Sequence, residues 1–175
     1  MWEDLQYLAK VSQNLHAEVL LRLLGRLQDG DGSIEAGEAV RAAFLRTLKI
    51  PPREVDLVDG SGLSRQDLAA PAALVRLLIA MDRGPEATLW QRLLPIAGED
   101  GTLATRLRSV RGRVQAKTGM LDHVSALSGY AETRTGERLA FSILVNDEWR
   151  SHAQVRALMD RIVTALVASR PERSP

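Results

Sequence analysis

The sequence predicts an α+β or mixed fold, in which an antiparallel sheet is packed with helices. Segments with the apolar spacing of helices fill the first half of the chain and its C-terminal end, and three strand-like segments follow one another between them. Strands joined by short connections pair in an antiparallel manner, whereas an alternation of strands and helices predicts a parallel sheet. The pattern therefore favours an antiparallel meander.

Composition limits the size of the domain and the class of partner. The 175 residues suffice for one domain with a core, or for a large part of a bigger one. Lys and Arg number 23 against 22 Asp and Glu, so the net charge of +1 lacks the basic excess of a nucleic-acid-binding protein, and we expect no nucleic acid. Cysteine is absent, which excludes disulfides and thiolate metal sites without identifying a compartment.

Helical segments precede the sheet. A short helical turn in the first ten residues leads into the Ser-Gln-Asn segment at residues 12–14. Residues 15–27 are densely apolar and predict a mostly buried helix, which ends at a Gly- and Asp-rich turn. Residues 34–48 have apolar residues on one helical face and predict a second helix, which the Pro-Pro pair at residues 51–52 ends.

The middle of the chain alternates loops with two more helices. The Asp-Gly-Ser-Gly sequence at residues 59–62 is typical of a turn. Ser64 lies three residues before Asp67, a spacing that predicts a helix start with Ser64 as its N-cap. Residues 86–94 predict a further short helix, and residues 95–102 a loop.

Residues 113–120, 124–133 and 138–146 predict the three strands. A polar connection with a glycine joins the last two, as a tight hairpin requires. Both faces of the third strand are apolar or small, so we expect helices on both sides of the sheet. Residues 155–166 have the spacing of a helix that packs on the sheet, and residues 171–175 are expected to be a disordered tail beyond a domain of residues 1–170.

Two short motifs suggest chemistry. The ammonium of Lys117 and the hydroxyl of Thr118 are suited to bind an anion, and Gly119 allows another backbone to approach the strand. Ser12 and Asn14 form a Ser-x-Asn motif before a helix. Taken singly, each motif also has a structural interpretation: Ser12 and Asn14 as helix caps, and Lys117 as a solvated lysine on a strand.

The order of these motifs resembles one family. A Ser-x-Asn turn, an Asp-Gly-Ser-Gly-Leu-Ser loop at residues 59–64 and an Ala-Lys-Thr-Gly sequence that opens a three-strand meander are similar to the penicillin-binding D-Ala-D-Ala carboxypeptidases and endopeptidases that carry an inserted domain ahead of Ser-x-Asn. The resemblance extends from about residue 11 to residue 168. It implies a β-lactamase/transpeptidase-like α+β fold and no cofactor.

The resemblance implies a catalytic role for three residues, in acyl transfer to a serine. Ser12 would relay a proton to the leaving amine. Asn14 would hydrogen-bond the substrate amide and steady the catalytic lysine. Lys117 would supply positive potential to this network.

The residues that follow Lys117 would bind the substrate. Thr118 would bind the terminal carboxylate of the peptide, and Gly119 would let the peptide lie along the strand. The backbone N–H of Met120 would donate to the oxyanion, a role that any side chain permits. A hydroxyl residue is common at the position of Met120 in relatives, so this chain departs from the family pattern at a secondary substrate contact.

The nucleophile of the family is missing from the sequence. No serine is followed three residues later by a lysine, so the chain contains no Ser-x-x-Lys element. In the family this element precedes the inserted domain. The resemblance therefore implies that residues 1–170 are the C-terminal portion of the catalytic domain, without its opening strands and nucleophile helix. We expect the chain alone to be inactive by the family mechanism and to associate with the missing N-terminal part.

By resemblance, the function is that of a serine-type D-Ala-D-Ala carboxypeptidase or endopeptidase that hydrolyses peptidoglycan stem peptides, and the complete protein would bind β-lactams. Such an enzyme is periplasmic or extracytoplasmic. The chain itself has neither a signal peptide nor an apolar run long enough to cross a bilayer, a pattern that by itself favours a cytoplasmic protein.

Two other functions fit the same motifs. A non-catalytic domain that binds a peptide or a partner protein would also lack the nucleophile. A β-lactamase relative would share the fold and Lys-Thr-Gly.

The three histidines, His16, His123 and His152, suggest neither a triad nor a metal site. Asp122 and His123 are adjacent on an expected strand and so would point to opposite faces, which argues against a triad with Ser125. The histidines also lack metal-ligand spacing, and we expect no metal.

Overall fold

The computed structural model describes residues 1–170, and the tail predicted for residues 171–175 lies outside them. The described part of the chain contains six α-helices, a three-stranded sheet and a two-stranded sheet. None of these helices is long and apolar enough to span a bilayer. The helices are α1 (Trp2–Val11), α2 (Asn14–Asp29), α3 (Ile34–Thr47), α4 (Pro71–Arg83), α5 (Ala87–Leu93) and α6 (His152–Ala168); the strands are β1 (Val55–Asp56), β2 (Leu68–Ala69), β3 (Val114–Leu121), β4 (Val124–Glu132) and β5 (Arg138–Val145).

The larger sheet has the order β3-β4-β5, and both strand pairs are antiparallel. The predicted meander is confirmed, and each strand ends within one residue of its expected bound. At the β4–β5 connection Gly136 has a φ of 85°, and its N–H donates to the carbonyl of Thr133 over 3.0 Å. This positive φ is the conformation for which the hairpin needs its glycine.

The connection between β3 and β4 is a two-residue turn made of Asp122 and His123, because Leu121 pairs directly with Val124. His123 has a φ of 60°. The expectation that both residues lie on a strand, with their side chains on opposite faces, is therefore wrong. Histidine is one of the non-glycine residues that adopt this left-handed conformation more often than most.

Helix α6 covers one face of the sheet, as predicted. Ser151 and Gln154 form a capping box at its start. Its buried side chains recur every four residues and join Leu127 in the main core. Leu158 and Ile162 belong to the predicted apolar face but are 46% and 42% exposed, because the helix presents only a narrow stripe to the sheet. The buried stripe consists of Val155, Met159, Val163 and Val167.

Helices α4 and α5 lie on the opposite face. Leu78 and Leu94 form a second apolar cluster with Tyr130 of β4. The indole N–H of Trp90 donates to the Tyr130 hydroxyl over 2.9 Å, and this hydroxyl donates to the carbonyl of Leu78 over 2.6 Å. Burial raises the pKa of Tyr130 to about 12, so the donor keeps its proton. Both faces of the sheet are thus covered, as predicted.

Helices α2 and α3 pack closely through two glycines. A Cβ at Gly37 would lie 2.1 Å from the carbonyl oxygen of Leu21, and one at Gly25 would lie 2.7 Å from the Cβ of Ala36. Only Leu21 and Gly25 of α2 are buried, whereas Leu27 is 72% exposed. The expectation of a mostly buried α2 is therefore wrong, because the apolar residues outside the stripe that faces α3 point to solvent.

Helix α4 begins later than predicted. The hydroxyl of Ser64 accepts from the N–H of Gln66, and the carboxylate of Asp67 accepts from the N–H of Val58. Ser64 therefore shapes a loop and caps no helix, and β2 follows it in the chain. The helix starts at Pro71, whose fixed φ suits the first helical position.

The other predicted helices are present. Helices α3 and α5 end within one residue of their expected bounds. Helix α1 spans ten residues and is longer than the short helical turn that we expected.

Candidate active site

The Ser-x-Asn motif forms the elbow between α1 and α2. Ser12 ends α1 in a left-handed conformation, with φ 60° and ψ 56°. Gln13 caps α2, because its side chain accepts from the N–H of Leu15 over 2.8 Å, and Asn14 is the first helical residue. The capping interpretation of Ser12 and Asn14 is therefore wrong. Both residues line a cleft between the elbow and β3.

Lys117 reaches the elbow from β3. Its Nζ donates to Ser12 Oγ over 2.7 Å and to the carbonyl of Thr118 over 2.9 Å. Burial lowers the pKa of Lys117 below its ordinary value, because the charged ammonium loses hydration. Lys117 is thus not a solvated strand lysine, and the structure brings together two motifs that are 105 positions apart.

Thr118 meets a residue that the sequence analysis did not single out. The Thr118 hydroxyl donates to the hydroxyl of Thr102 over 2.8 Å, and both residues line the cleft. Thr102 lies at the end of the loop predicted for residues 95–102, so no periodic pattern marked it.

An ion pair between a largely buried lysine and a partly exposed aspartate holds the loop that carries Thr102. Lys10 Nζ donates to Asp100 Oδ2 over 2.7 Å and to the carbonyl of Leu94 over 2.6 Å. Asp100 Oδ1 accepts from the N–H of Ile96 over 2.7 Å. Lys10 precedes Ser12 by two residues, so this pair ties the elbow to the loop beside Thr118.

The outer edge of β3 is partly free. Ala97 N donates to Val114 O over 2.9 Å and Ala116 N donates to Pro95 O over 3.0 Å, so this loop covers the start of the edge. N–H groups alternate in direction along a strand, and those of Thr118 and Met120 therefore point to the same edge as that of Ala116. They lie beyond the covering loop, where β3 borders the cleft.

The opposite wall is the loop at residues 59–64. Glu18 Oε1, from α2, accepts from the N–H groups of Gly60 over 3.2 Å and Ser61 over 2.9 Å. Asp59 accepts from the N–H groups of Gly62 and Ser64. Burial disfavours the charge of Asp59, but these donors outweigh it and lower its pKa. The predicted turn is present, and Gly62 has a φ of 76°.

The cleft has a volume of about 480 Å³ and adjoins an apolar groove of about 450 Å³. The groove lies between α1, α4 and the face of the sheet from which Lys117 projects. A Cβ at Gly119 would lie 3.2 Å from Ala126 Cβ, on this same face. Side chains that line the groove include Leu5, Leu8, Leu74, Leu77, Leu93 and Leu144.

The histidines lie elsewhere. His123 Nδ1 lies 2.9 Å from the carbonyl oxygen of Glu148, and His152 Nδ1 lies 2.5 Å from Glu148 Oε1. The hydroxyl of Ser125 donates to the same carboxylate over 3.2 Å. Ser125 is thus paired with Glu148 and not with Asp122 and His123. Within residues 1–170 no three His, Asp or Glu side chains form a cluster that could hold a metal ion.

The helix-covered antiparallel sheet defines a domain of the β-lactamase/transpeptidase-like fold class. The structure is similar to penicillin binding protein 4 from Haemophilus influenzae, with a TM-score of 0.86 and 26% identity over 95% of this chain and 40% of that chain. It shares the fold alone with a class A β-lactamase from Bacteroides cellulosilyticus, with a TM-score of 0.70 and 18% identity over 96% of this chain and 64% of that chain. The β-lactamase/transpeptidase-like fold class is therefore confirmed.

The chain belongs to the D-Ala-D-Ala carboxypeptidase 3 (S13) family, whose sequence profile matches residues 1–167. It is 39% identical to the D-alanyl-D-alanine carboxypeptidase of Actinomadura sp. (strain R39) over 173 aligned residues. This alignment covers 95% of this chain and 32% of that protein. The chain thus spans about a third of the length of that relative. The family resemblance noted in the sequence is confirmed.

Proposed function

We propose that this chain is the C-terminal part of the catalytic domain of a serine-type D-Ala-D-Ala carboxypeptidase or endopeptidase that hydrolyses peptidoglycan stem peptides. The observation that carries the proposal is the 2.7 Å contact between Lys117 Nζ and Ser12 Oγ inside the cleft. Membership of the carboxypeptidase family supports the same activity.

Three polar groups act on the scissile amide. Because Lys117 donates to Ser12 Oγ, the hydroxyl hydrogen of Ser12 is available to the leaving nitrogen. Lys117 in its protonated form supplies positive potential beside the reacting atoms. Asn14 lines the same cleft, and its side-chain amide binds the amide of the substrate.

The free edge of β3 binds the substrate backbone. The Thr118 hydroxyl binds the terminal carboxylate of the peptide. Gly119 has no side chain to obstruct the peptide along the strand. The outward N–H of Met120 donates to the oxyanion, as expected for a backbone group at a free strand edge.

The nucleophile comes from an N-terminal section with a Ser-x-x-Lys element, which the chain lacks. Its serine oxygen bonds to the carbonyl carbon, the amide C–N bond breaks, and the leaving amine takes its proton through Ser12. Water then hydrolyses the ester and regenerates the serine. The apolar groove beside Lys117 receives the nucleophile helix of that section, because the leucines that line the groove need an apolar partner.

The complete protein is periplasmic or extracytoplasmic, where its peptidoglycan substrate lies. It binds β-lactams covalently at the same serine, since the ring amide is attacked in the same way and the ring carboxylate occupies the Thr118 site. The structure of penicillin binding protein 4 from Haemophilus influenzae in complex with a β-lactam supports this part of the proposal.

Labelling by penicillin tests the proposal. The gene is expressed together with its upstream region, and the product is incubated with fluorescent penicillin. We expect one stable labelled adduct, lost when the serine of Ser-x-x-Lys is changed to Ala. An unlabelled product would refute the peptidase and favour a non-catalytic peptide-binding domain, whereas rapid turnover of the β-lactam would favour a β-lactamase.

A further inference from the structure

Ser12 has the local geometry of an exposed, fixed hydroxyl. It lies at the sharp elbow between two helices, and its φ of 60° is uncommon for a residue with a side chain. Its N–H donates to the carbonyl of Leu8, so the backbone at this turn is held in place. Strained residues of this kind concentrate at functional sites.

Lys117 is the one base within hydrogen-bond reach of that hydroxyl among the described side chains, at 2.7 Å. Burial lowers the pKa of Lys117, and this shift increases the fraction of neutral amine near neutral pH. A neutral amine accepts the hydroxyl hydrogen that a protonated one cannot. Paired serine and lysine side chains are a known variant of the activated nucleophile.

The cleft also supplies an oxyanion donor and room for a substrate. The N–H groups of Thr118 and Met120 point to the free edge of β3, next to the Ser12–Lys117 pair. Preorganised backbone donors stabilise the oxyanion that forms during acyl transfer. The volume of about 480 Å³ is ample for a small ester.

We propose that Ser12 and Lys117 form a serine–lysine dyad through which this chain, without any Ser-x-x-Lys element, accepts an acyl group from small activated esters. Ser12 Oγ bonds to the ester carbonyl carbon, its proton passes to Lys117 Nζ, and the C–O bond to the leaving alcohol breaks. The departing alkoxide or phenolate receives the proton or leaves as an anion. Water hydrolyses the Ser12 ester in a slower step.

This activity is separate from the proposed peptidase, in which Ser12 relays a proton and never becomes acylated. The two therefore fail independently. If the ester acylates Ser12 of the chain but penicillin does not label the longer protein, the dyad is supported and the peptidase is refuted.

The test uses the 175-residue chain and p-nitrophenyl acetate. We expect a burst of one p-nitrophenol per chain and one acetyl group, mapped to Ser12 by mass spectrometry of peptides. Hydroxylamine removes an acetyl ester but not an acetyl amide, so it separates reaction at Ser12 from reaction at Lys117 or another amine. The burst rate rises with pH and levels off below the ordinary lysine pKa of about 10.4, since the base must be neutral.

Three variants sharpen the test. Ser12→Ala abolishes the burst, and Lys117→Arg slows it by about 100-fold or more, because a guanidinium keeps the charge but cannot act as a base. Ser61→Ala is the matched control, since Ser61 lines the same cleft but donates to Asp59 and not to Lys117. We expect the burst rate of this variant to stay within about twofold of wild type. Circular dichroism verifies the fold of each variant.

Three outcomes overturn the dyad. These are the absence of a hydroxylamine-sensitive adduct on the folded chain, an acetyl ester that maps to a residue other than Ser12, and a burst rate in folded Lys117→Arg equal to that of wild type. If Lys117→Arg fails to fold, the pH dependence of the wild-type burst rate tests the role of Lys117. A burst rate that does not follow the titration of an amine refutes the dyad.

Discussion

The hydroxyls of Thr118 and Thr102 meet over 2.8 Å and join the Lys117 strand to the loop that Lys10 and Asp100 hold in place. The Thr118 hydroxyl donates to Thr102 in the free chain. A hydroxyl has only one hydrogen, so when Thr118 donates to a substrate carboxylate this hydrogen bond reverses, and Thr102 then donates to Thr118 and orients it. In the proposed peptidase this orientation decides how well the substrate carboxylate is bound.

Replacing Thr102 by Val is expected to weaken that site. The change keeps the shape of the side chain but removes the partner of the Thr118 hydroxyl, and one such hydrogen bond is worth about 1 kcal/mol. We expect the rate constant for penicillin acylation of the longer protein, at low penicillin concentration, to fall by about fivefold to tenfold. Thr102→Ser keeps the hydroxyl and serves as the control. Equal rates for wild type and Thr102→Val would contradict the role of Thr102.

Replacing Lys10 by Met is expected to destabilise the fold. The Lys10 side chain is 12% exposed and donates to Asp100 and to the carbonyl of Leu94, so its loss leaves two acceptors without their donor. Because Asp100 is 41% exposed, water compensates in part, and we expect a loss of about 1–3 kcal/mol in urea unfolding. The control is Arg111→Gln, which breaks the exposed pair with Glu99 and should cost less than about 0.5 kcal/mol.

Replacing Gly37 by Ala is expected to separate α2 from α3. Alanine normally favours a helix over glycine by about 1 kcal/mol, but here its Cβ would lie 2.1 Å from the carbonyl oxygen of Leu21. We expect a net destabilisation of about 3 kcal/mol or more, measured by urea unfolding. Gly32→Ala has 4.0 Å of room and should be neutral or stabilising. Equal stabilities of the two variants would argue against the close packing of these helices.

The lowered pKa of Lys117 predicts a pH-dependent stability. The unfolded lysine has a pKa near 10.5, and burial lowers the folded value below it. Between the two values the unfolded chain binds more protons than the folded chain, so the free energy of unfolding rises with pH. Below the folded value the cost of burying the charge is present in full.

Comparison of wild type with Lys117→Met isolates this effect. Urea unfolding from neutral pH to about 10.5 should show wild type gaining stability relative to the variant as the pH rises. Other titrations are shared by both proteins and cancel in the difference. A difference that is constant over this range would show that Lys117 is not desolvated in the fold.

Much of the fold was predictable because it rests on local periodicity. The alternation along β5 and the four-residue spacing along α6 depend on neighbours in the chain, and both elements formed as predicted. The predicted start of α4 was wrong because strand pairing and a proline outweighed the local capping pattern. Ser64 carried the pattern of a helix cap, but pairing of β1 with β2 and the proline at residue 71 moved the helix start.

The candidate site was only partly predictable. Ser12, Asn14 and residues 117–120 were identified by motif, and all of them line the cleft. Thr102 and the Lys10–Asp100 pair were missed, because the residues that they contact are distant in the sequence. The cap at Gln13 was assigned to its neighbours, since Ser and Asn are the commoner caps.

The amino-acid sequence by itself determined the helices, the meander, the family and the absence of a Ser-x-x-Lys element, because each of these depends on residue types and short spacings. Only the tertiary structure decided that Ser12 accepts a hydrogen bond from Lys117, that Thr102 contacts Thr118 and that half of the α2 residues stay exposed. Contacts across a hundred residues depend on how whole elements pack, and the hydrophobic effect that drives packing has no direction of its own.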